Sequence, residues 1–456
     1  MSYDLIIIGG GPAGYLAAER AGKAGMKVAL CEERSLGGVC LNEGCIPTKT
    51  LLYSAKLYDG AAKGQRYGVT APDIKIDHAT VVRRKDKVVK TLVAGVKSAM
   101  KASNVTVVEA RAVITGKTAE GFTVQAGDQE LTGGSLLIAT GSSPAVPPIP
   151  GLKEGLERGF VLTSREILDL KEAPGQLVVI GGGVIGLGLA SYFCCVGARG
   201  AVVGVLDHIA GENDQELVGL LKADLEKRGI AFHLNAKVTA IEEKGVRFEQ
   251  GGESKLLEAD SVLLSIGRRA NTANLGLDSI HVATERGAIP VDDRMRANQP
   301  GVYAAGDVTG FSMLAHTAYR EAEVAVNDML GRQDRMRYDA VPAVLYTSPE
   351  LASVGETEQS AAQKGLPFKV VKLPMRFSGR YLAENEGGNG IMKLVVNTNT
   401  RQVLGMQALS NYASEFIVQA AAFIELGLTL EQIQKIIFPH PTVSEIIREA
   451  VFAYEE

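Results

Sequence analysis

The sequence predicts an α/β protein in which one strand–turn–helix module occurs twice and a region of different pattern follows. Three observations predict this. An apolar strand, Tyr3 to Ile8, runs directly into Gly9-Gly10-Gly11-Pro12-Ala13-Gly14 and a helix passing Ala17, Ala18 and Ala21. The arrangement returns at Val178-Val179-Ile180 and Gly181-Gly182-Gly183-Val184-Ile185-Gly186, and the step from Gly9 to Gly181 is 172 positions. From about Pro342 strands and helices alternate without such a glycine turn.

The glycines of the first module permit a tight turn and let a ligand's phosphates approach the backbone. The following helix points its unpaired N–H groups and positive dipole end at the same place. A second strand, Lys27 to Cys31, ends at Glu32, an acid about twenty residues on, suited to a ribose hydroxyl. Gly9, Gly11, Pro12, Ala13, Gly14 and Glu32 are therefore expected to hold a dinucleotide, with Glu33 as a solvated neighbour. Tight packing of any βαβ unit would also favour glycine here, but strand, turn, helix and acid occur together.

Helical patterns follow over Leu51–Ala62 and Thr80–Met100, with Arg83-Arg84-Lys85 read as a solvated face. Short strands are expected near Val105–Ala110, Ala112–Thr115 and Phe122–Val124, and Leu136 to Ser142 reads as a buried strand ending in a turn. Pro144, Pro147, Pro148 and Pro150 stiffen the stretch from Ser143 to Gly151 and mark a domain boundary. The second module, with Gly181, Gly183, Val184, Ile185 and Gly186 in its turn, closes at Ser261 to Arg269. Two such modules imply two nucleotides to bring together. Cys194-Cys195, mid-helix with adjacent residues on different faces, reads as two buried small hydrophobes rather than a redox pair.

At 456 residues the chain has room for about three domains. A hydrophobic fraction of 46% and 22% charged residues are those of a globular protein. A net charge of −4 and a pI near 6.0, with no basic cluster, give no reason to expect nucleic acid. The N-terminal strand contains Asp4 and runs at once into glycines, unlike a signal peptide, and no stretch reaches the roughly 18 unbroken apolar residues of a membrane helix. A cytoplasmic protein that uses neither membrane nor nucleic acid is expected. Five cysteines are too few for a secreted scaffold and fit a reducing compartment with one catalytic pair.

That pair lies in Gly37-Gly38-Val39-Cys40-Leu41-Asn42-Glu43-Gly44-Cys45-Ile46-Pro47-Thr48-Lys49. Gly37, Gly38 and Gly44 leave Cys40 on a flexible approach, while Pro47 suits the first turn of a helix, where its missing N–H is not needed. Cys45 then sits at a helix N-terminus, which favours a thiolate, and Cys40 is the more accessible sulfur. Lys49, at i+4 from Cys45, projects from the same face. A stapling disulfide or half of a zinc site are the alternatives. A staple over so short a loop adds little, and the other three cysteines and six histidines offer zinc no familiar spacing.

The loop Gly-Gly-x-Cys-Leu-Asn-x-Gly-Cys-Ile-Pro-x-Lys resembles that of the flavin-dependent pyridine nucleotide-disulfide oxidoreductases of the dihydrolipoamide dehydrogenase and glutathione reductase type. The resemblance runs almost end to end. It implies two Rossmann-like domains, the second inserted in the first, and a C-terminal α+β dimerisation domain: residues 1–144 and 270–340 for FAD, 145–269 for NAD, and 341–456 for the interface. FAD would stack beside Cys45 with Lys49 near its ring, contacted also by Gly38, Val39, Ala112, Thr140, Gly141 and Ser142. Gly306 and Asp307 resemble the family's second FAD segment, and Met313, Leu314, Ala315 and His316 open a helix aimed at the flavin, with His316 structural rather than proton-transferring. Gly204, Val238 and Gly267 would join the second turn in holding NAD, with NADP not excluded. No metal is expected.

Phe438-Pro439-His440-Pro441-Thr442-Val443-Ser444-Glu445 resembles the family's second catalytic signature, in its dihydrolipoamide dehydrogenase form. Opening a disulfide releases a thiolate that must be protonated, and a histidine held by a carboxylate is the natural acid–base near neutral pH. Thr442-x-x-Glu445 is also a capping box, so Glu445 has a structural reading beside the catalytic one. The resemblance implies a homodimer that moves electrons between a substrate dithiol and NAD through FAD. No lipoyl domain precedes Met1, so the lipoyl group is expected on a subunit of a 2-oxo acid dehydrogenase or glycine cleavage complex. Rival readings are a reductase of glutathione, coenzyme A disulfide or a thioredoxin-like protein, and a structural flavoprotein subunit with a decayed nicotinamide site.

Two departures stand out. The step from Gly14 to Glu32, repeated from Gly186, lands on Gly204, so the second ribose acid is missing and no arginine replaces it. Gly188 stands where the dihydrolipoamide dehydrogenases carry a glutamate that pairs with the flavin-side lysine, which leaves Lys49 without that partner. NADH is therefore expected to work with a high KM, to be poorly discriminated from NADPH, and to be supplemented by another electron donor.

Overall fold

The structure, a computed structural model, describes residues 2–455 and resolves into two units. One takes in residues through Thr50, Thr80–Val146 and Gly267–Arg337; the other takes in Leu51–Ala79, Pro147–Ile266 and the chain from Tyr338 onward.

In the first unit, β1 (Ser2–Ile8), α1 (Pro12–Lys23) and β2 (Val28–Cys31) form the first module, followed by α2 (Gly38–Glu43) and the start of α3 (Cys45–Ala62). β1 lies between β2 and Gln129–Ile138, all parallel, and Thr106–Val108 extends the sheet beyond β2. Val302–Ala304 adds a further parallel strand against the end of Gln129–Ile138, while Gly121–Ala126 and Ala112–Thr118 continue the sheet antiparallel. β1 is apolar and buried from Leu5 to Ile8, where both faces of a parallel strand are covered, while Ser2 and Asp4 at its start are exposed. Leu5, Ile6 and Ile7 have no exposed surface. Ser142–Pro144 and Arg268–Ala270, where the chain leaves and re-enters this unit, pair as a two-stranded antiparallel ribbon.

In the second unit, β3 (Gln176–Ile180), α4 (Val184–Cys195) and β4 (Arg199–Val203) repeat the module. β3 lies between β4 and Ser261–Leu264, with Ile230–His233 and Val161–Leu162 at the parallel edges. Ala236–Glu242, Gly245–Gln250 and Glu253–Glu258 form a separate antiparallel sheet. Beyond Tyr338 an antiparallel five-stranded sheet packs against the helices Ala413–Glu425, Leu430–Ile433 and Glu445–Ala453 around Met392, Leu394, Met406, Phe416 and Ile446. Two Rossmann-like domains and a C-terminal α+β region are therefore present.

Three readings are corrected. Ser143 and Pro144 are part of the ribbon rather than of an unpaired connection. Lys85 is buried and paired with Asp86 at 2.8 Å, and Arg84 donates to the Thr50 carbonyl, so this cluster is not simply a solvated face. Cys194 and Cys195 close their helix instead of sitting in its middle, and both are half-buried.

Candidate active site

Cys45 is the first residue of α3, where the unpaired N–H groups and dipole lie. Cys40 sits in α2, and both cysteines are half-buried free thiols. The flexible approach expected for Cys40 is instead a helical turn. Gly37 and Gly38 enter it with φ of 96° and 56°, the left-handed region where glycine costs least. The two thiols act on each other, and this polarises them. Bonding from Cys40 holds the Cys45 thiol down at about 6 against the opposing effect of burial, with the Lys49 ammonium and the helix backbone assisting. The same bond, then burial, pushes the Cys40 thiol up. Burial pulls Lys49 below its usual value while both sulfurs hold it up, so Lys49 is in electrostatic contact with the dithiol despite the missing family glutamate. Asp307 acts on both thiols.

The glycine turn of the same unit is shaped for a pyrophosphate. Gly9 has φ 105°, and a Cβ on Gly14 would strike the Gly9 carbonyl. A Cβ on Gly11 would meet only the Gly38 Cα at 3.8 Å, so space is kept before the N-terminus of α1, whose first residues are Pro12 and Ala13. Glu32 accepts from the Gly10 N–H at 2.7 Å and from the Arg34 and Ser35 N–H groups at 2.8 and 3.2 Å. That fixes its carboxylate at the end of β2 with lone pairs left for a ribose; Glu33 is exposed. Thr140 and Gly141 end the strand Gln129–Ile138 and are tied to Asn271, the Thr140 hydroxyl donating to the Asn271 carbonyl at 2.6 Å. The Ser142 hydroxyl donates to Asp307 at 2.5 Å, and Arg268 donates to that hydroxyl at 2.6 Å. Gly306 precedes Asp307 with φ 81°, its N–H held by the buried Glu321 at 2.6 Å. Met313 and Leu314 lead into α5 (Ala315–Met329), in which His316 is exposed, and Ala112 is buried at a strand start. Gly38 and Val39 open α2. These residues fit a flavin dinucleotide: a phosphate cradle with no side chains in it, a ribose acid, and a fixed aspartate.

In the second unit Glu445 opens the helix Glu445–Ala453 and uses both oxygens. Its Oε1 lies 2.8 Å from His440 Nδ1 and its Oε2 accepts from the Thr442 N–H at 2.7 Å. The capping box expected at Thr442-x-x-Glu445 is not formed, because the helix is capped at Ser444 without a side-chain bond and only the Thr442 N–H to Glu445 half is made; the carboxylate instead holds His440. Burial works to raise the carboxyl, yet the Thr442 N–H and His440 hold it below the usual range. The His440 side chain is 78% exposed, so Nε2 is open to a substrate.

Residues 3–322 match the pyridine nucleotide-disulphide oxidoreductase family and residues 341–451 its dimerisation domain. The chain belongs to the pyridine nucleotide-disulphide oxidoreductases. The dihydrolipoyl dehydrogenase of Chlamydia muridarum (strain MoPn / Nigg) is 38% identical over 450 residues, 98% of this chain and 96% of that protein. That of Bacillus subtilis (strain 168) is 38% identical over 453 residues, covering 98% and 95%. Among solved structures, LpdA from Mycobacterium tuberculosis superposes with a TM-score of 0.90 at 26% identity over 99% of each chain. The HOCl-induced flavoprotein disulfide reductase RclA from Escherichia coli does so with 0.86 at 29%, over 99% of each chain.

This oxidoreductase repeats its first module down to single hydrogen bonds. Gly9 donates to the Cys31 carbonyl at 2.8 Å and Gly181 to the Val203 carbonyl at 2.9 Å. Gly181 has φ 108°, Gly186 packs under it, and Gly183 precedes α4, whose first residues Val184 and Ile185 are exposed. Glu32 donates its N–H to Val108 and Gly204 to His233, so the two positions correspond and only the side chain is missing. Val205 and Leu206, 68% and 52% exposed, follow Gly204. Gly200 lies within β4, where a Cβ would meet Cys194 Sγ, and Gly204 lies just past its end. Val238 is buried in Ala236–Glu242; Gly267, with φ 116°, starts the return to the first unit.

Sequence reasoning missed Arg268, which donates to the Ser142 hydroxyl and carbonyl, Glu321, which accepts from the Gly306 N–H, and Asn271, which is bonded to Thr140. It also missed Tyr15 and Tyr319, whose hydroxyls meet from positions 304 residues apart. No local pattern marks such pairings. Among the described residues no group of three or more His, Cys, Asp or Glu side chains is arranged to hold a metal, and no helix is long and apolar enough to cross a membrane.

Proposed function

We propose that this oxidoreductase moves an electron pair between protein-bound dihydrolipoamide and NAD, as a dihydrolipoyl dehydrogenase, using the Cys40–Cys45 couple. The polarised dithiol carries the reading: Cys45 is held as the thiolate and Cys40 as the protonated, exchanging thiol. In the oxidative direction the enzyme starts with Cys40 and Cys45 joined. His440 of the partner subunit, oriented by its Glu445, takes a proton from the substrate dithiol. The substrate thiolate attacks Cys40 Sγ, the Cys40–Cys45 bond breaks, and Cys45 leaves as a thiolate stabilised by the helix N-terminus and Lys49. The second substrate thiol, losing its proton, displaces Cys40, which takes up a proton. The substrate is now a disulfide and the enzyme has gained two electrons. FAD held by the residues that fit it would supply the chemistry that passes the pair from the Cys45 thiolate to NAD.

Residues 1–144 and 270–340 form the flavin domain in this reading, 145–269 the nicotinamide domain, and 341–456 the interface. Gly9, Gly11, Gly14, Glu32, Thr140 and Asp307 hold FAD; Gly181, Gly183, Gly186 and Gly204 face NAD. The partner is a lipoyl-bearing subunit of a 2-oxo acid dehydrogenase or glycine cleavage complex. Five free cysteines accord with a cytoplasmic setting.

Steady-state oxidation of dihydrolipoamide, run with NAD+ and NADP+ in parallel, tests this. Turnover with NAD+ that disappears in Cys45→Ser is expected; absence of lipoamide turnover beside rapid reduction of glutathione, coenzyme A disulfide or a thioredoxin-like protein would replace dihydrolipoamide by that substrate.

A further inference from the structure

Two phenols with no part in the reaction above meet near the dithiol. Tyr15, in the second turn of α1, and Tyr319, in the second turn of α5, bring their hydroxyls to 2.5 Å, with their rings edge to face at 6.0 Å between centroids. Both are half-buried, and neither hydroxyl has another hydrogen-bond partner among the described residues. α1 is tied at its start to the segment that carries Cys40, since a Cβ on Gly38 would stand 2.6 Å from the Gly11 Cα. Burial, then the bond to Tyr319, then Cys40 and Cys45 push the Tyr15 phenol up. Burial, with Cys40 and Cys45 in smaller measure, raises Tyr319. Both phenols are within electrostatic reach of the dithiol, and the contact of Gly11 with Gly38 holds the start of α1 against the segment that carries Cys40.

Two hydroxyls bonded to each other use one proton between them and keep one to donate. We propose that the Tyr15–Tyr319 pair is a fixed hydrogen-bond donor to the substrate sulfur that exchanges with Cys40. Negative charge sits on that sulfur as it attacks Cys40, and returns to it when Cys40 attacks a substrate disulfide in the opposite direction. A preorganised donor aimed at that sulfur lowers the barrier where the charge develops, in reduction of the substrate disulfide, and in the opposite direction favours the thiolate form of the substrate thiol. Both phenols stay neutral through the working pH range, so the pair donates a hydrogen bond and neither proton nor electron passes through it. His440 of the partner subunit remains the group that moves the proton.

The inference rests on the disulfide-exchange reading above, and its test separates the two. Tyr15→Phe, Tyr319→Phe and the double variant keep both rings and remove only oxygens. Each single variant is expected to lower kcat/KM for lipoamide by about ten- to a hundredfold, the cost of one hydrogen bond to a charged group. The double variant should lose no more than the worse single, because the two hydroxyls act as one donor. Ferricyanide reduction by NADH, which bypasses the exchange, should stay within about twofold, and the pH profile should keep its shape. Single variants within twofold of wild type on lipoamide, losses that multiply in the double, or an equal fall in ferricyanide reduction would each overturn the proposal. If the wild type does not turn over lipoamide, the pre-reduced enzyme is mixed with 4,4′-dithiodipyridine and thiopyridone release is followed. Slower release in the variants then supports the donor while the lipoamide reading falls; unchanged release overturns both.

Discussion

Restoring the missing ribose acid by Gly204→Glu should convert a weak nicotinamide site into an NAD-selective one. The first module supplies the reference. There Glu32, at the position equivalent to Gly204, is anchored by the Gly10 N–H at 2.7 Å and retains lone pairs for a ribose. In the second module a Cβ on Gly204 would lie 3.6 Å from the nearest Leu234 side-chain carbon and 4.0 Å from the Gly182 nitrogen. It therefore meets only ordinary packing, and a glutamate has the same glycine N–H to bind. A hydrogen bond to a charged group contributes about 1.5–3 kcal/mol, which corresponds to roughly ten- to a hundredfold in affinity. The NADH KM of the variant should fall by that factor at constant lipoamide. The NADPH KM should not fall, because a carboxylate gains nothing from a 2′-phosphate of its own sign. Parallel initial-rate measurements with both nucleotides decide it. An unmoved NADH KM in a variant with wild-type flavin content would show that the absent carboxylate does not limit nucleotide use.

With Cys45 held down at about 6 and Cys40 pushed up, thiolate character in the two-electron-reduced enzyme should be present above about pH 6 and lost below it. The long-wavelength thiolate-to-flavin absorption should follow that titration; a midpoint near the ordinary thiol value of 9.0 would refute the polarisation. Cys40→Ser should show this band without added reductant, while Cys45→Ser should lack it under every condition. The proposed reaction takes its acid–base from the other subunit, so mixing Cys45→Ser and His440→Ala chains should restore part of the activity through heterodimers, and an active monomer in sedimentation would contradict the shared site. Lys393, 3% exposed, binds Asp214 at 2.9 Å, Glu216 at 3.0 Å and Glu358 at 3.2 Å. Lys393→Met strands the fully buried Asp214 and should cost about 3–5 kcal/mol in urea unfolding; a loss under about 1 kcal/mol would show the cluster relaxes.

The parts of the site that sequence made legible are those where backbone conformation dictates residue type. Gly9 and Gly181 must be glycine at φ above 100°, and Cys45 must head a helix for its chemistry, so spacing alone exposed both. Glu445 was readable because its two partners lie within five positions of it. The brace around Asp307 was not, since Ser142 lies 126 positions from Arg268 and 165 from Asp307. Lys85 shows the converse error. In an amphipathic helix a lysine between polar neighbours looks solvated, yet tertiary packing buried it with Asp86 alongside.

The two-stranded ribbon of Ser142–Pro144 and Arg268–Ala270 places the exit and the re-entry of the chain side by side. Within the first unit that ribbon is a single antiparallel pair, whereas Pro147–Ile266 packs in the second unit with the chain beyond Tyr338, as the Lys393 bonds to Asp214 and Glu216 show. A short turn joining the two strands would close the flavin unit without its guest. A module inserted between two neighbouring strands leaves the sheet order of its host uninterrupted. The two modules keep the same backbone bonds at equivalent positions and differ there in one side chain, Glu32 in the first and none at Gly204 in the second.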